Sequence, residues 1–114
     1  MASDVVALAR LALDAASLRQ QAIAHNIANA NTPGYVPLGV NFEQQLAFAR
    51  GASGGSVPAS VKPFIEPDTS GTTRVALDME MVKLTQNTVH YQSLLKALDK
   101  RGSIIATAVN EGRR

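Results

Sequence analysis

The sequence has no cysteine and no tryptophan, and aromatic residues make up only 4% of its 114 positions. Without cysteine, neither a disulfide framework nor a thiolate metal site can form. No apolar run reaches the roughly 20 residues that a membrane-spanning helix requires. The N-terminus also lacks the charged start of a secretory signal, so we expect any export to proceed without cleavage of a signal peptide.

The sequence also lacks a large excess of charge of either sign. Its formal net charge is only +2, and the basic residues are mostly scattered. A nucleic-acid-binding protein usually concentrates lysine and arginine on one face and adds aromatic side chains that stack on bases. We therefore expect no nucleic acid partner. A small basic protein associated with nucleic acid remains an alternative, which a steep loss of binding at high salt would identify.

Two long helical patterns dominate what is present. The first covers residues 4–30 and meets no proline or glycine before Pro33. The second covers residues 78–109, where Asp78 can cap the helix and Glu80 adds negative charge to the first turn. Alanine is abundant in the first pattern; it favours helix but buries little apolar area, so we expect neighbouring elements to complete the core.

The second pattern repeats mostly apolar residues at the spacing of a coiled coil. The repeat consists of Met81, Leu84, Thr88, Tyr91, Leu95, Leu98, Gly102, Ile105 and Val109. We predict an all-α fold in a single domain, residues 1–114, whose long N- and C-terminal helices form a parallel or antiparallel coiled coil. Apolar residues outside the predicted stripes lack cover in such a hairpin, which predicts an oligomerising protein. They are Val6, Ile23, Ile27, Val82, Val89 and Leu94.

The segment between the helices, residues 31–77, is rich in glycine, serine and proline, and we predict that it is mostly irregular. Two stretches within it carry enough apolar residues to dock on the helices. Residues 40–49 predict one short element, and residues 61–65 predict a short extended piece.

A turn is predicted where the first helical pattern stops. Pro33 removes Thr32 from helical geometry, and the Pro33-Gly34 pair favours a type II turn in which Gly34 takes a positive φ. Just before it stand three asparagines, Asn26, Asn29 and Asn31, although asparagine is a poor helix former. Polar residues at a helix seam fix register, so we predict that these asparagines match the helix to its neighbours.

A family resemblance rests on the same segment. Residues 18–35, which contain Asn26, Ile27, Asn29, Asn31, Thr32, Pro33, Gly34 and Tyr35, resemble the N-terminal signature of flagellar rod and hook proteins. Residues 40–46, residues 75–82 and the group Asn87, His90, Tyr91 and Gln92 are similar to rod proteins of the FlgB type. The sister FlgC type and, less favoured, a cytoplasmic coiled-coil adapter are the alternatives.

The resemblance implies a structural subunit of the proximal rod of the flagellar basal body. Such a subunit self-assembles in the periplasm through its terminal helices and helps transmit torque from the motor to the hook and filament. Its implied partners are rod subunits of the FlgB, FlgC and FlgF types, the FliE adapter and the type III export gate, which exports it without signal-peptide cleavage. We expect the terminal helices to be loosely ordered in the free monomer and to order on docking.

The residues that we expect at subunit contacts fall into two groups. One is the turn segment named above, from Asn26 to Tyr35. The other lies on the predicted stripe of the C-terminal helix and comprises Met81, Leu84, Tyr91, Leu95, Leu98 and Ile105.

No catalytic, metal-binding or cofactor-binding set is predicted. His25 and His90 are far apart in sequence and lack carboxylates or cysteines at metal-ligand spacing. Asp78 and Glu80 are explained by the start of a helix, and the glycines between Gly51 and Gly55 do not form a phosphate-binding loop. We therefore expect no enzymatic activity and no cofactor.

Overall fold

A computed structural model of the chain describes residues 2–53, 61–68 and 75–112. Its elements in chain order are α1 (Ala2–Ala28), β1 (Leu38–Asn41), α2 (Glu43–Ser53), β2 (Phe64–Pro67) and α3 (Leu77–Gly112). The molecule is elongated, measuring 66 × 31 × 14 Å along its principal axes. None of the helices described is both long enough and apolar enough to cross a membrane.

The two predicted terminal helices are confirmed, with slightly different ends. The first was predicted for residues 4–30 and observed as Ala2–Ala28; the second was predicted for residues 78–109 and observed as Leu77–Gly112. Helix α3 starts early because the Glu80 N–H already donates to the Ala76 carbonyl, at 2.9 Å. Asp78 therefore lies inside the first turn, where its Oδ1 accepts from the Met79 N–H at 2.9 Å.

The connecting segment contains more regular structure than predicted. Strands β1 and β2 form an antiparallel two-stranded sheet in which Val40 lies opposite Ile65, and helix α2 lies between the strands in sequence. The predicted short element at 40–49 is thus the end of β1 and most of α2, and the predicted extended piece ends in β2. The rest of the Gly/Ser/Pro-rich prediction, at residues 54–60 and 69–74, lies outside the described residues.

A small apolar core joins α1 to the sheet and α2. The buried residues of this cluster are Ala15, Phe42 and Val61. Partly buried side chains pack around it: Leu8, Leu11, Ala12, Val40, Leu46 and Ala49. Arg19 on α1 also forms an ion pair with Glu43 at the start of α2. The sheet and α2 therefore form one unit with α1 rather than a loose connection.

Helix α3 packs antiparallel to α1, as two polar contacts demonstrate. Near the end of α1, Asn26 contacts Glu80 early in α3, whereas Ala16 and Gln20 contact Asn87, two turns further along α3. The buried residues of α1 are mostly small or polar: Ala15, Ala16, Ala22 and Asn26, with Ile23 beside them. The direct polar bonds between the helices fix their alignment.

The stripe of α3 that faces inward differs from the predicted stripe. Its least exposed side chains, over residues 77–101, are Glu80, Leu84, Asn87, Leu94, Leu98 and Arg101. Leu84 and Leu98 belong to both stripes. Met81 and Leu95 are exposed, and their preceding residues, Glu80 and Leu94, face inward instead. The rotation follows from Glu80 and Asn87, whose hydrogen-bond partners lie on α1.

The prediction of uncovered apolar residues is partly right. Val82 and Val89 are exposed. In contrast, Ile23 is buried, and Val6, Ile27 and Leu94 are half-buried. The antiparallel pair, together with the sheet, therefore covers α1 better than a simple two-helix hairpin would.

Candidate functional site

The turn that follows α1 has the geometry predicted from its sequence. The Tyr35 N–H donates to the Thr32 carbonyl at 3.2 Å, which closes a four-residue turn around Pro33 and Gly34. Gly34 has a φ of 75°, and it is the only residue with a positive φ within the described ranges. Proline at the second position and glycine with positive φ at the third are the features of a type II turn. The chain is thereby redirected from α1 toward β1.

Asn29 secures the end of α1 just before the turn. Its Nδ2 donates to the His25 carbonyl at 2.9 Å, and its Oδ1 accepts from the Thr32 hydroxyl at 3.2 Å. The same carbonyl also accepts from the Asn29 N–H at 3.1 Å, so the side chain adds a second donor at the helix end. Asn31 is exposed, and Ile27 is half-buried.

Asn26 is the centre of the site. It is only 2% exposed, on a helix whose neighbouring positions carry alanine and isoleucine. Its Oδ1 accepts from the Tyr35 hydroxyl at 2.6 Å and from the Leu38 N–H at 2.8 Å. Its Nδ2 donates to the Leu38 carbonyl at 3.0 Å and to Glu80 Oε2 at 3.3 Å. All donor and acceptor positions of the amide are used, so its burial leaves no polar atom unsatisfied.

The Asn26 amide lies along the edge of β1 that faces away from β2, where a third strand of the sheet would pair. The Asp68 N–H donates to the Pro37 carbonyl at 2.8 Å, so Pro37 and, by alternation along the strand, Gly39 face β2. The N–H and carbonyl of Leu38 consequently point away from β2, and both bond to Asn26. One side chain thus satisfies an open strand edge that would otherwise offer unpaired backbone groups.

Tyr35 carries a second contact on its hydroxyl. His25 Nδ1 lies 2.8 Å from the Tyr35 oxygen. Because Asn26 Oδ1 can only accept, the tyrosine proton is directed to Asn26, and His25 Nδ1 must carry a hydrogen and donate it to Tyr35. The four side chains His25, Tyr35, Asn26 and Glu80 therefore form one continuous chain of hydrogen bonds.

Two residues of α3 complete the polar contact with α1. Glu80 is only 4% exposed, and besides Asn26 its carboxylate contacts Lys83 Nζ at 3.1 Å. Asn87 is buried as well; its Nδ2 donates to the Ala16 carbonyl at 2.8 Å and to Gln20 Oε1 at 3.1 Å. Buried polar groups stabilise a structure only when they are paired, and both of these are.

The two predicted groups of contact residues lie in different places. The turn segment from Asn26 to Tyr35 forms one cluster at the junction of α1, β1 and α3. Met81, Tyr91 and Leu95 lie on the exposed side of α3, and Leu84 and Leu98 are half-buried at its margin. Ile105 belongs to α3, but its side chain lies outside the described residues.

Sequence reasoning missed the roles of Glu80 and Asn87. Glu80 was interpreted as a charge at a helix start, and Asn87 only contributed to the family resemblance. The two residues are spaced by seven positions on one helix, which places them on the same face. A pair of polar residues at heptad spacing, beside the apolar stripe, was the sequence signal that could have indicated a buried polar contact.

A groove of about 430 Å³ lies beside this junction, between β1 and α3. Its lining includes Arg19, Ala22, Ile23, Val40, Lys83 and His90. Among the described residues, no group of three or more His, Asp or Glu side chains is placed to bind a metal ion. The arrangement of the site is that of a structural junction held by the hydrogen bonds of Asn26, Tyr35, Leu38 and Glu80.

Burial and, to a lesser degree, the negative charge of Glu80 raise the pKa of Tyr35 above its ordinary value of 10.0. In the unfolded chain Tyr35 ionises at its ordinary pKa, so the folded state holds the proton to higher pH. The stabilisation is therefore complete below about pH 10 and is lost as the pH rises through the folded-state pKa.

We expect the free energy of unfolding to fall more steeply between about pH 9 and 11 in the wild type than in Tyr35→Phe, which lacks the titrating hydroxyl. Urea unfolding followed by circular dichroism across this range measures both slopes. Equal slopes in the two proteins would contradict the contact between the half-buried Tyr35 hydroxyl and Asn26.

Comparisons with known proteins agree with this structural character. Residues 8–35, which include the turn, match the family described as Flagella basal body rod protein. The chain is 31% identical to the flagellar basal body rod protein FlgB of Cereibacter sphaeroides, over 80% of this chain and 82% of that protein. It is 29% identical to FlgB of Aeromonas hydrophila over 86% of each chain, and 29% identical to FlgB of Bacillus subtilis over 90% of each. The chain belongs to the FlgB family of flagellar basal body rod proteins.

Proposed function

We propose that this chain is a structural subunit of the proximal rod of the bacterial flagellar basal body, where it helps transmit torque from the motor to the hook and filament. The observation that carries the proposal is its likeness to FlgB proteins over at least 80% of its length. The site supports it, because the segment that matches the rod family ends in a hydrogen-bonded junction that joins α1 to β1 and α3. The names of these relatives favour the FlgB type over the sister FlgC type.

Assembly with other rod components follows from membership of a rod-protein family. We propose that the partners are further copies of this chain, subunits of the FlgC and FlgF types, the FliE adapter and the type III export gate. The subunit passes through that gate without cleavage of a signal peptide and joins the rod in the periplasm. It performs no enzymatic reaction. The loose order expected of its terminal helices before assembly stays a prediction.

The surface proposed for contact between subunits is the apolar stripe of α3 that α1 leaves open. Met81 is 55% exposed and Leu95 is 44% exposed, and Tyr91 lies between them. Half-buried Leu84 and Leu98 join this stripe to the inward face of α3. Together with exposed Thr88, these residues keep the 3-4 spacing with which one helix packs along another. An uncovered stripe of this kind suits a helix from a neighbouring subunit. The exposed outer side of the turn, including Asn31 and Pro33, is proposed as a second contact.

A pair of matched substitutions tests the stripe. Leu95→Glu places a charge on the stripe, whereas Ser93→Glu places the same charge on another face of α3, at an exposed residue that is not apolar. Because both residues are exposed, each variant should change the free energy of unfolding by only about 0.5 kcal/mol. We expect Leu95→Glu to abolish swimming and Ser93→Glu to preserve it, as measured by spreading in soft agar. Normal swimming with Leu95→Glu, or equal loss with both variants, would remove the stripe from the proposal.

Deletion of the gene tests the function itself. We expect the deletion strain to lack complete rods, hooks and filaments and to be non-motile, and a plasmid copy of the wild-type gene to restore swimming. Electron micrographs of isolated basal bodies would locate the defect. A deletion strain that builds normal flagella would exclude a rod subunit and favour the coiled-coil adapter.

A further inference from the structure

The amide of Asn26 is held in one orientation by groups from two different segments. The Tyr35 hydroxyl and the Leu38 N–H both donate to Oδ1, at 2.6 and 2.8 Å. A backbone N–H can only donate, so this atom must be the oxygen, and Nδ2 must face the other way. There it meets the Leu38 carbonyl and Glu80. The closed turn and the strand therefore fix the amide so that its Nδ2, rather than its oxygen, faces α3.

We propose that Asn26 is a latch that makes the docking of α3 conditional on closure of the turn. When the turn is open, Tyr35 does not reach Oδ1 and nothing from that segment orients the amide. The inference concerns the folding of the subunit and goes beyond its assignment to the rod.

The burial of Glu80 depends on this orientation of the Asn26 amide. Glu80 is 4% exposed in the docked state, so a carboxylate must leave water when α3 packs onto α1. Removing a charged group from water is strongly unfavourable unless donors replace the lost hydration. Lys83 supplies one donor from the same helix, and among the described residues Asn26 Nδ2 supplies the donor from outside α3. An amide oriented by Tyr35 and Leu38 offers that donor, whereas the reversed amide would turn its oxygen toward the carboxylate.

Asn87 provides an internal comparison. It is buried one heptad away on the same face of α3, and it bonds to Ala16 and Gln20 rather than to the turn. It therefore holds the same two helices together without any connection to Tyr35. A latch and a plain helix contact are thus present in one interface, two turns apart.

A pair of double-mutant cycles separates the two roles. The first combines Tyr35→Phe with Glu80→Ala, and the second combines Tyr35→Phe with Asn87→Ala; each uses urea unfolding at pH 7, where Tyr35 is neutral. Residues linked in one network show non-additive effects, whereas independent sites add. We expect the first cycle to deviate from additivity by at least about threefold in the unfolding equilibrium constant. The second should be additive within error. Additivity in both cycles, or equal coupling in both, would overturn the latch.

Hydrogen exchange gives a second test that needs only single variants. The Leu38 N–H bonds to Asn26, whereas the Gly39 N–H faces β2 in the same hairpin. Loss of the Glu80 acceptor should loosen the amide, so we expect Glu80→Ala to raise the exchange rate of Leu38 relative to Gly39 by at least about threefold. Asn87→Ala should leave this ratio unchanged. An unchanged ratio in Glu80→Ala would contradict the proposal even if the double variants do not fold.

Discussion

Replacement of Asn26 by alanine should lower the free energy of unfolding by about 2–4 kcal/mol, because it removes buried hydrogen bonds and leaves their partners without replacements. The Leu38 N–H and carbonyl would face a cavity, and Glu80 would lose its donor from α1. Small domains have only about 5–15 kcal/mol in total, and the apolar core of this one is small. Urea unfolding of the purified variant, followed by circular dichroism, measures the loss.

Asn31→Ala is the matched control for this substitution. It makes the same chemical change five positions later in the same segment, at an exposed residue. We expect a change within about 0.5 kcal/mol, as is usual at exposed positions. Similar losses from both variants would mean that the segment contributes by composition rather than by the specific contacts of Asn26.

Replacement of Gly34 by valine is the second change with a large expected effect. Gly34 has a φ of 75°, which a β-branched residue adopts only under strain. An added Cβ would meet no atom within 4 Å, so the cost comes from the backbone alone. We expect a loss of about 2–3 kcal/mol in the free energy of unfolding, with impaired rod assembly and swimming.

Two variants control for this result. Gly34→Asn should cost much less than valine, because asparagine tolerates the left-handed region. Gly51→Ala should instead stabilise the protein by about 0.5–1 kcal/mol, because Gly51 lies within α2 and has open space around its Cα. If Gly34→Val unfolds like the wild type and the strain swims normally, the assignment of the turn is wrong.

The local features of this fold were predictable from the sequence because local chemistry decides them. A long run without proline or glycine defined α1, a sustained heptad repeat without proline defined α3, and the Pro33-Gly34 pair defined the turn and the positive φ of Gly34. Each of these features depends on residues only a few positions apart. The family resemblance likewise rested on one contiguous segment.

The orientation of α3 was not predictable by the same means. A search for apolar residues at heptad spacing selects Met81 and Leu95, which are exposed. The face that packs on α1 is instead chosen by Glu80 and Asn87, whose partners on α1 lie more than 50 positions away in the sequence. A polar residue is unfavourable to bury without a hydrogen-bond partner, and the sequence alone does not show that Glu80 and Asn87 have one.

The asparagines of the turn segment also have a more specific role than sequence reasoning assigned them. They were predicted to match the helix to neighbouring subunits. In the structure, Asn26 joins α1 to β1 and α3, and Asn29 closes the end of α1. The segment therefore shapes the subunit from within, while its contact with neighbours stays a prediction.

A component of the flagellar rod must be present in isolated basal bodies. Basal bodies purified from the source bacterium can be probed with an antibody against the purified chain. We expect the chain to copurify with the basal bodies and the gold label to lie on the rod, at its proximal end. Complete basal bodies that lack the chain, with all of it recovered in the cytoplasmic fraction, would contradict this expectation.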